Sequence, residues 1–335
     1  MIVSSARMIP LADGKPHPTG YWPEEVLRPY ERFIEAGVEV VIATPHGRSA
    51  QPDPWGLEPK FAYPDEAEDF MGSVIRSFAD DADNIRITLH HLTELNLIAS
   101  KRIFSALTAA GLEYATARGL IEAAAKVAWR EDRDLLDVLE EDAQVNGVLT
   151  RDQLDTLAAE VQADSAAEAR KVAEALDSID GLRHPVDLDT LSDEQIRGFD
   201  AVFFPGGHGP MVDLYENPHV ARVLDILHAK QAVIAALCHG PAALLAAGNG
   251  PDGVWLFDGY KMTAFTDEEE EDTPYGQLGA RWYLETELKN RGAVFDDADA
   301  PWTSHVIVDR NLITAQNPAS SDAAADAILK RLEVL

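Results

Sequence analysis

The sequence predicts an α/β protein with a mostly parallel sheet, interrupted by a large helical insertion. Three observations carry that prediction. The chain opens as strand, loop, helix, strand, and a βαβ start of this kind implies a parallel sheet. The same alternation resumes from about Leu182 to the end, whereas residues 62–180 carry almost no strand pattern.

Each element follows from its local pattern. Met1–Ala6 reads as a strand that begins at once. Glu24–Ala36 has helical periodicity, Gly37 ends it, and Val38–Ala43 is the next strand. The middle block is rich in Ala, Leu, Glu, Asp and Arg, as in Ala109–Ala128 and Ser165–Ile179. A structureless loop of that length would be uncommon, so 62–180 is expected to be a mostly helical insertion, either a cap or an oligomer surface. Residues 1–61 and 181–335 then form the α/β core. Its second half reads as strand Ala201–Phe204, helix Pro218–Lys230, a strand ending at Cys238, a helix directly after it, helix Gln277–Arg291, strands around Val306 and Leu312, and a last helix from Ser321.

Composition removes several classes of function. Hydrophobic residues make up 46% of the chain, yet no apolar stretch approaches the roughly 20 residues of a membrane span. The start shows no basic segment followed by a long apolar region, so no signal peptide is read there. A single cysteine rules out an internal disulfide and fits a reducing cytoplasm. The net charge of −30 argues against a phosphate-tracking surface, so no nucleic-acid partner is expected.

The cysteine carries the chemistry. In Val233–Leu245 an apolar run stops at Cys238, and His239, Gly240 and an Ala/Leu-rich run follow, the pattern of a nucleophile elbow. Such a turn sets the side chain over a helix N-terminus, whose dipole favours the reactive thiolate. A lone cysteine is more often a buried structural thiol; the adjoining His239 and the strand-to-helix context tip the reading toward a nucleophile.

Three further segments stand out. Pro205-Gly206-Gly207-His208-Gly209-Pro210 follows a strand, and glycines there let backbone amides turn toward a substrate, although the segment could be only a tight bend. Thr19-Gly20-Tyr21-Trp22-Pro23-Glu24-Glu25 opens the first helix, where carboxylates are ordinarily dipole-favoured surface groups. The run Asp267–Asp272 is six consecutive acids, which by itself reads as a solvated loop. In the insertion, Asp142–Gln153 resembles an EF-hand loop, but Gln144 replaces a carboxylate and Gln153 stands where a bidentate glutamate closes the calcium shell. A helix-turn-helix with Asn146-Gly147 at the turn is the favoured reading.

Taken together, Thr-Gly-Tyr-Trp-Pro-Glu-Glu, Phe-Phe-Pro-Gly-Gly-His-Gly-Pro-Met, Ala-Leu-Cys-His-Gly-Pro-Ala and Thr-Ala-Phe-Thr-Asp resemble the ThiJ/PfpI superfamily, also called type 1 glutamine amidotransferase-like. The branch they look like is that of heat-shock chaperones and glutathione-independent glyoxalases. The resemblance covers both outer blocks and not the insertion. It implies a flavodoxin-like, doubly wound, mostly parallel sheet, with Cys238 as nucleophile, His239 as proton-transferring base, Glu25 hydrogen-bonded to the sulfur and Glu270 as the third acid. Glu269 and Glu271 remain open for that last place. By the same transfer Gly207 and His239 supply backbone oxyanion donors, and Gly206, His208 and Trp22 are candidates to touch substrate.

The resemblance implies a cofactor-free reaction without glutathione, metal or nicotinamide. Methylglyoxal or a related 2-oxoaldehyde adds to Cys238 as a hemithioacetal and leaves as a 2-hydroxy acid, lactate for methylglyoxal; a related deglycase activity is included. Two alternatives stand beside it. One is a holding chaperone for unfolded protein clients, and the other is a hydrolase or hydratase of another small electrophile. A homodimer is expected. Glutamine amidotransfer itself is disfavoured, because Ile307 stands two residues after His305, where a glutamate would be needed.

Overall fold

The computed structural model describes residues 1–58, 95–248 and 253–334. It divides into two compact units, residues 1–57 with 172–335, and residues 58–171. The insertion expected over 62–180 thus falls partly outside the described residues, and the division itself lies at 57/58 and 171/172.

The larger unit is built on a twisted sheet. Ala201–Phe204 pairs in parallel with Val233–Leu237, which pairs in parallel with Leu312–Ala315; Val306–Asp309 is antiparallel at that edge. On the other side the Ile2 amide donates to the Phe203 carbonyl at 2.9 Å, and Ile2 bridges Ala43 in parallel. Ala43–Thr44 then pairs with the edge strand Val186–Asp187. Setting that short edge strand aside, the parallel segments run in the order 2-1-3-4-5, the flavodoxin-like order. Ligands in such sheets bind beyond the carboxyl ends of the strands, where Gly206 and Cys238 lie.

Burial explains the strands. All five residues of Val233–Leu237 are buried, as expected for a central strand covered on both faces, and its sequence is correspondingly apolar throughout. One face packs on Leu224, Leu227, Leu244 and Met262, the other on Phe33, Ala324 and Ile328. Helix Pro23–Glu35 starts with proline at its first position and buries Glu25, Val26, Pro29 and Phe33 on one side. Gly37, at φ 77°, takes the left-handed conformation that ends it.

Four expected elements differ. Met1–Ala6 and Val38–Ala43 form regular pairing only around Ile2 and at Ala43–Thr44, beside an apolar cavity lined by Met1, Ile2, Val40 and Phe203. The helix after Cys238 is a 3₁₀ helix, Gly240–Ala246, entered through Gly240-Pro241. The helix Gln277–Arg291 is two helices, Pro274–Gly279 and Leu284–Asn290, split where Gly279 takes φ 104° and Ala280 is extended.

The smaller unit is helical across its described residues, with Ser100–Ala109, Tyr114–Glu131, Leu135–Glu140 and Ala143–Asn146 preceding the helix that starts at Arg151. Ile103, Leu107, Ile121, Leu135, Leu139 and Leu154 are its core. The EF-hand-like segment spends its oxygens on helix ends. Asp142 accepts from the Gln144 and Val145 amides, and the Gln153 side chain accepts from the Thr150 amide at 2.8 Å. Among the described residues no helix is long and apolar enough to cross a membrane.

Candidate active site

Cys238 follows the central strand directly and is the one cysteine, buried at 3% exposure. Its φ is +59°, left-handed for a residue with a Cβ, which costs on the order of 1–3 kcal/mol. The fold holds this turn from both sides, since the Cys238 amide donates to the Ala315 carbonyl at 2.8 Å and its carbonyl accepts from the Phe265 amide at 2.9 Å. The strained turn lifts the side chain out of the sheet plane, as a nucleophile elbow does.

His239 lies against the sulfur. Its Nδ1 is 3.3 Å from Cys238 Sγ, and its Nε2 is 2.7 Å from Glu270 Oε2. The hydrogen bond to the carboxylate fixes the proton on Nε2, so Nδ1 is the lone pair that can take the thiol proton. Glu270 Oε1 is 2.8 Å from His208 Nε2 and accepts from the Thr273 hydroxyl at 2.6 Å. One carboxylate therefore serves two imidazoles, whose rings lie 4.2 Å apart.

The acid run is not a solvated loop. Thr266 and Glu269 form a capping box that starts a short helix, Asp267–Glu271, and its inner face carries the buried Glu269 and Glu270. Glu269 accepts from the Trp302 amide at 2.7 Å and from the Asn317 side chain at 2.8 Å, so it ties two loops to the helix. Glu271 is exposed and accepts from the Tyr283 hydroxyl. Of the three acids, Glu270 is the one that meets His239.

On the other flank of the sulfur is Glu25, fully buried on the first helix. Its Oε2 accepts from the Gly206 amide at 2.7 Å, while Oε1 has no oxygen or nitrogen partner. Glu25 and the Cys238 sulfur are close enough to act on one another electrostatically. Gly206 and Gly207 are required here. A Cβ on Gly206 would sit 2.6 Å from Glu25 Oε2 and 2.7 Å from the His239 amide, and one on Gly207, at φ 79°, would lie 2.5 Å from the Trp22 amide. Trp22 is buried, packs edge-on against Trp55 and donates its amide to the Gly206 carbonyl at 3.1 Å.

Burial and neighbours set the charge states. Burial pushes the Glu25 carboxyl well above its ordinary range, with no cation at hand to reverse it. The Cys238 thiol is pushed up by burial first and by Glu25 second, the Gly207 N–H pulling the other way. Both effects disfavour the thiolate that the turn and the helix N-terminus would favour. His239 is pushed down to about 4, by burial and by His208. For His208 burial acts downward, but Glu270 and Asp53 outweigh it and the net shift is upward. For Glu270 burial acts upward, and the two histidines overcome it and hold the carboxyl well below the usual range. The shared carboxylate thus favours the imidazolium of His208 over that of His239.

Thr273 goes beyond what sequence reasoning assigned. His208, a candidate to touch substrate, anchors Glu270 through its Nε2 at 2.8 Å. Thr273, three residues after Glu270 and just before Pro274, caps the next helix as well, a signal that was in the sequence as a Thr-Pro helix start. Among the described residues, His208, His239 and Glu270 are also the group whose ligand atoms lie close enough to share a metal ion, and they are the same atoms that bond one another.

Comparison with known proteins follows the same line. A model of the DJ-1/PfpI family matches residues 136–331, and a model of the adenylosuccinate lyase C-terminus matches residues 96–171. The protein/nucleic acid deglycase HchA of Escherichia coli is 36% identical over 126 residues, a match that takes in 37% of this chain and 43% of the relative. Over the whole fold, the chain is similar to the 24 kDa Rapid Encystment Protein of Francisella tularensis, at TM-score 0.56 and 20% identity, covering 99% of this chain and 97% of that one. It is similar to the same degree to glyoxalase III of Candida albicans, at TM-score 0.56 and 17% identity, covering 98% and 94%. Since the family match spans more than half of the chain and contains the strained cysteine, both histidines and the acid between them, the chain belongs to the DJ-1/PfpI family.

Proposed function

We propose that the chain is a cysteine-dependent enzyme that converts reactive 2-oxoaldehydes such as methylglyoxal to 2-hydroxy acids, or reverses the early adducts such aldehydes form. One observation carries the reading: a buried thiol lies 3.3 Å from the Nδ1 of His239, whose Nε2 is held at 2.7 Å by the buried Glu270, with a second buried carboxyl, Glu25, close by. The names of the relatives, a deglycase and a glyoxalase III, support the same chemistry.

The residues divide the work. His239 Nδ1 takes the thiol proton as Sγ bonds the aldehyde carbon, giving a hemithioacetal. Backbone N–H groups of Gly207 and His239 stabilise the negative charge at sulfur and oxygen. His239 then removes the proton from the former aldehyde carbon and returns it to the adjacent carbon, with the Glu25 carboxyl beside the sulfur supplying and recovering a proton at the oxygens. Glu270 keeps the imidazole in its tautomer and stabilises the imidazolium each time it forms. Water cleaves the resulting thioester, and sulfur recovers its proton. The net charge of −30 supports small carbonyls or adducts on protein over those on nucleic acid.

The test is lactate production from methylglyoxal by the wild type and by Cys238→Ala. The expected loss in the variant is at least about 10⁴-fold. No turnover of any 2-oxoaldehyde by the wild type, or turnover surviving in Cys238→Ala, overturns the reading. If both proteins instead suppress aggregation of an unfolded client equally well, the holding-chaperone alternative replaces it.

A further inference from the structure

Three segments of the chain converge beside the cysteine: the turn after Ala201–Phe204 with His208, the elbow after Val233–Leu237 with His239, and the short helix Asp267–Glu271 with Glu270. Nε2 of His208 is 2.8 Å from Glu270 Oε1, and Nε2 of His239 is 2.7 Å from Glu270 Oε2. One nitrogen or oxygen from each of the three residues lies within 4.8 Å of the other two. Their side chains are 10%, 2% and 3% exposed. The two rings are 4.2 Å apart, and Tyr275 backs His208 at 4.9 Å, so both imidazoles are held in place by packing.

Two imidazoles and a carboxylate are a donor set that zinc takes, with bonds of about 2.0–2.2 Å. Tetrahedral bonds of that length set ligand atoms about 3.4 Å apart, so each N···O separation has to open by roughly 0.7 Å. That is a movement of the size side-chain torsions supply. Imidazole and carboxylate together favour Zn²⁺ over Mg²⁺ and Ca²⁺, which prefer all-oxygen sites. The Thr273 hydroxyl, 2.6 Å from Glu270 Oε1, is an outer partner that orients the carboxylate, as ligand carboxylates require.

We propose that Zn²⁺ binds to Nε2 of His208, Nε2 of His239 and the Glu270 carboxylate, and that the bound ion switches the enzyme off. The ion is an inhibitor here and has no part in the reaction proposed above; only the effect on turnover rests on that reading. Ion and hydrogen bonds are alternatives, because each Nε2 carries a proton in its bond to Glu270 and the ion needs the lone pair there. With Nε2 bound, neutral His239 carries its proton on Nδ1, which is 3.3 Å from Cys238 Sγ. That nitrogen is then a donor and no longer takes the thiol proton, so addition to the aldehyde does not begin. His208 is likewise held neutral, releasing one proton to solvent if it was charged. Cys238 faces the opposite edge of the His239 ring from the ion, so its sulfur is outside the ligand set.

The experiment is calorimetric titration of Zn²⁺ into the wild type, Cys238→Ala, His208→Gln and Glu270→Gln. The expected result is one ion per chain in the wild type, affinity within about threefold in Cys238→Ala, and affinity at least about tenfold weaker in the other two variants. The visible spectrum with Co²⁺ in place of Zn²⁺ then lacks a thiolate charge-transfer band. No binding by the wild type, loss of binding in Cys238→Ala, or undiminished binding in His208→Gln and Glu270→Gln overturns the site. Where a ligand variant fails to fold, histidine NMR of the wild type decides: one equivalent of Zn²⁺ shifts the His208 and His239 resonances, and shifts confined to other histidines overturn the proposal. For the switch, saturating Zn²⁺ lowers lactate production from methylglyoxal at least about tenfold, EDTA restores it, and Mg²⁺ leaves it unchanged. Full turnover with the ion bound overturns that part. If the wild type without Zn²⁺ turns over no 2-oxoaldehyde, it is the reading of function that fails, and calorimetry and NMR still decide the site.

Discussion

Two buried carboxyl groups flank the same cysteine and histidine, and their surroundings drive ionisation in opposite directions. Glu25 is 0% exposed and Glu270 is 2% exposed, so burial opposes ionisation of both. Glu25 accepts one backbone N–H and faces no cation. Glu270 accepts from two imidazoles and a hydroxyl. Partners rather than depth decide the charge: with no cation a buried carboxyl keeps its proton, and with two histidines it gives it up. The difference divides the labour, leaving Glu25 able to move a proton at the sulfur and Glu270 able to hold the base in place.

The largest test of this comparison replaces Glu270 with Gln. The amide has one oxygen acceptor, and its NH₂ would oppose one of the two Nε2–H groups, so either His239 changes tautomer or the bond to His208 is lost. The expected fall in kcat for methylglyoxal is about 10²–10⁴-fold. With the carboxylate gone, the titration midpoint of His208 also moves down. A change in kcat of less than about threefold would mean that the acid is a packing group.

The sequence made one flank of the site legible and left the other dark, for physical reasons. Cys238 could be found because a central strand is apolar throughout and stops abruptly at a Cys-His-Gly-Pro turn. Gly206 and Gly207 could be found because close backbone approach admits no side chain. Glu270 could not be read from composition, since six acids in a row look solvated; what turns two of them inward is the Thr266–Glu269 capping box. Its place came through family resemblance. The fold class was legible in the βαβ start, whereas the extent of Val38–Ala43 as a strand was not, because regular pairing depends on neighbours the segment itself does not encode.

The next test sharpens the Glu25 side. Its native pKa is raised above the unfolded value of about 4.3, so its contribution to stability is fully present below that pH and is lost as pH rises toward the native value. Gln at this position has nearly the same shape and does not titrate. The stability of Glu25→Gln relative to wild type is therefore expected to increase by up to about 1.4 kcal/mol per pH unit from pH ~5 upward. Denaturant unfolding of both proteins at several pH values between about 5 and 8 checks it. Parallel curves would show that Glu25 is ionised in the native protein, and the contrast with Glu270 would collapse.

The smallest expected effect belongs to Glu271, and it matters because Glu271 is the immediate neighbour of Glu270 in a run that composition cannot divide. Its carboxylate is at the surface, bonded to the Tyr283 hydroxyl. Removing that charge leaves both histidines with the partner they already have. Glu271→Gln is expected to keep kcat within about twofold and unfolding free energy within about 0.5 kcal/mol of wild type. It also serves as a control for the general loss of negative charge in Glu270→Gln, since both variants change net charge by the same amount. A fall in kcat comparable to that of Glu270→Gln would mean that the acid run acts on His239 through its summed field, and that the hydrogen bond at 2.7 Å is incidental.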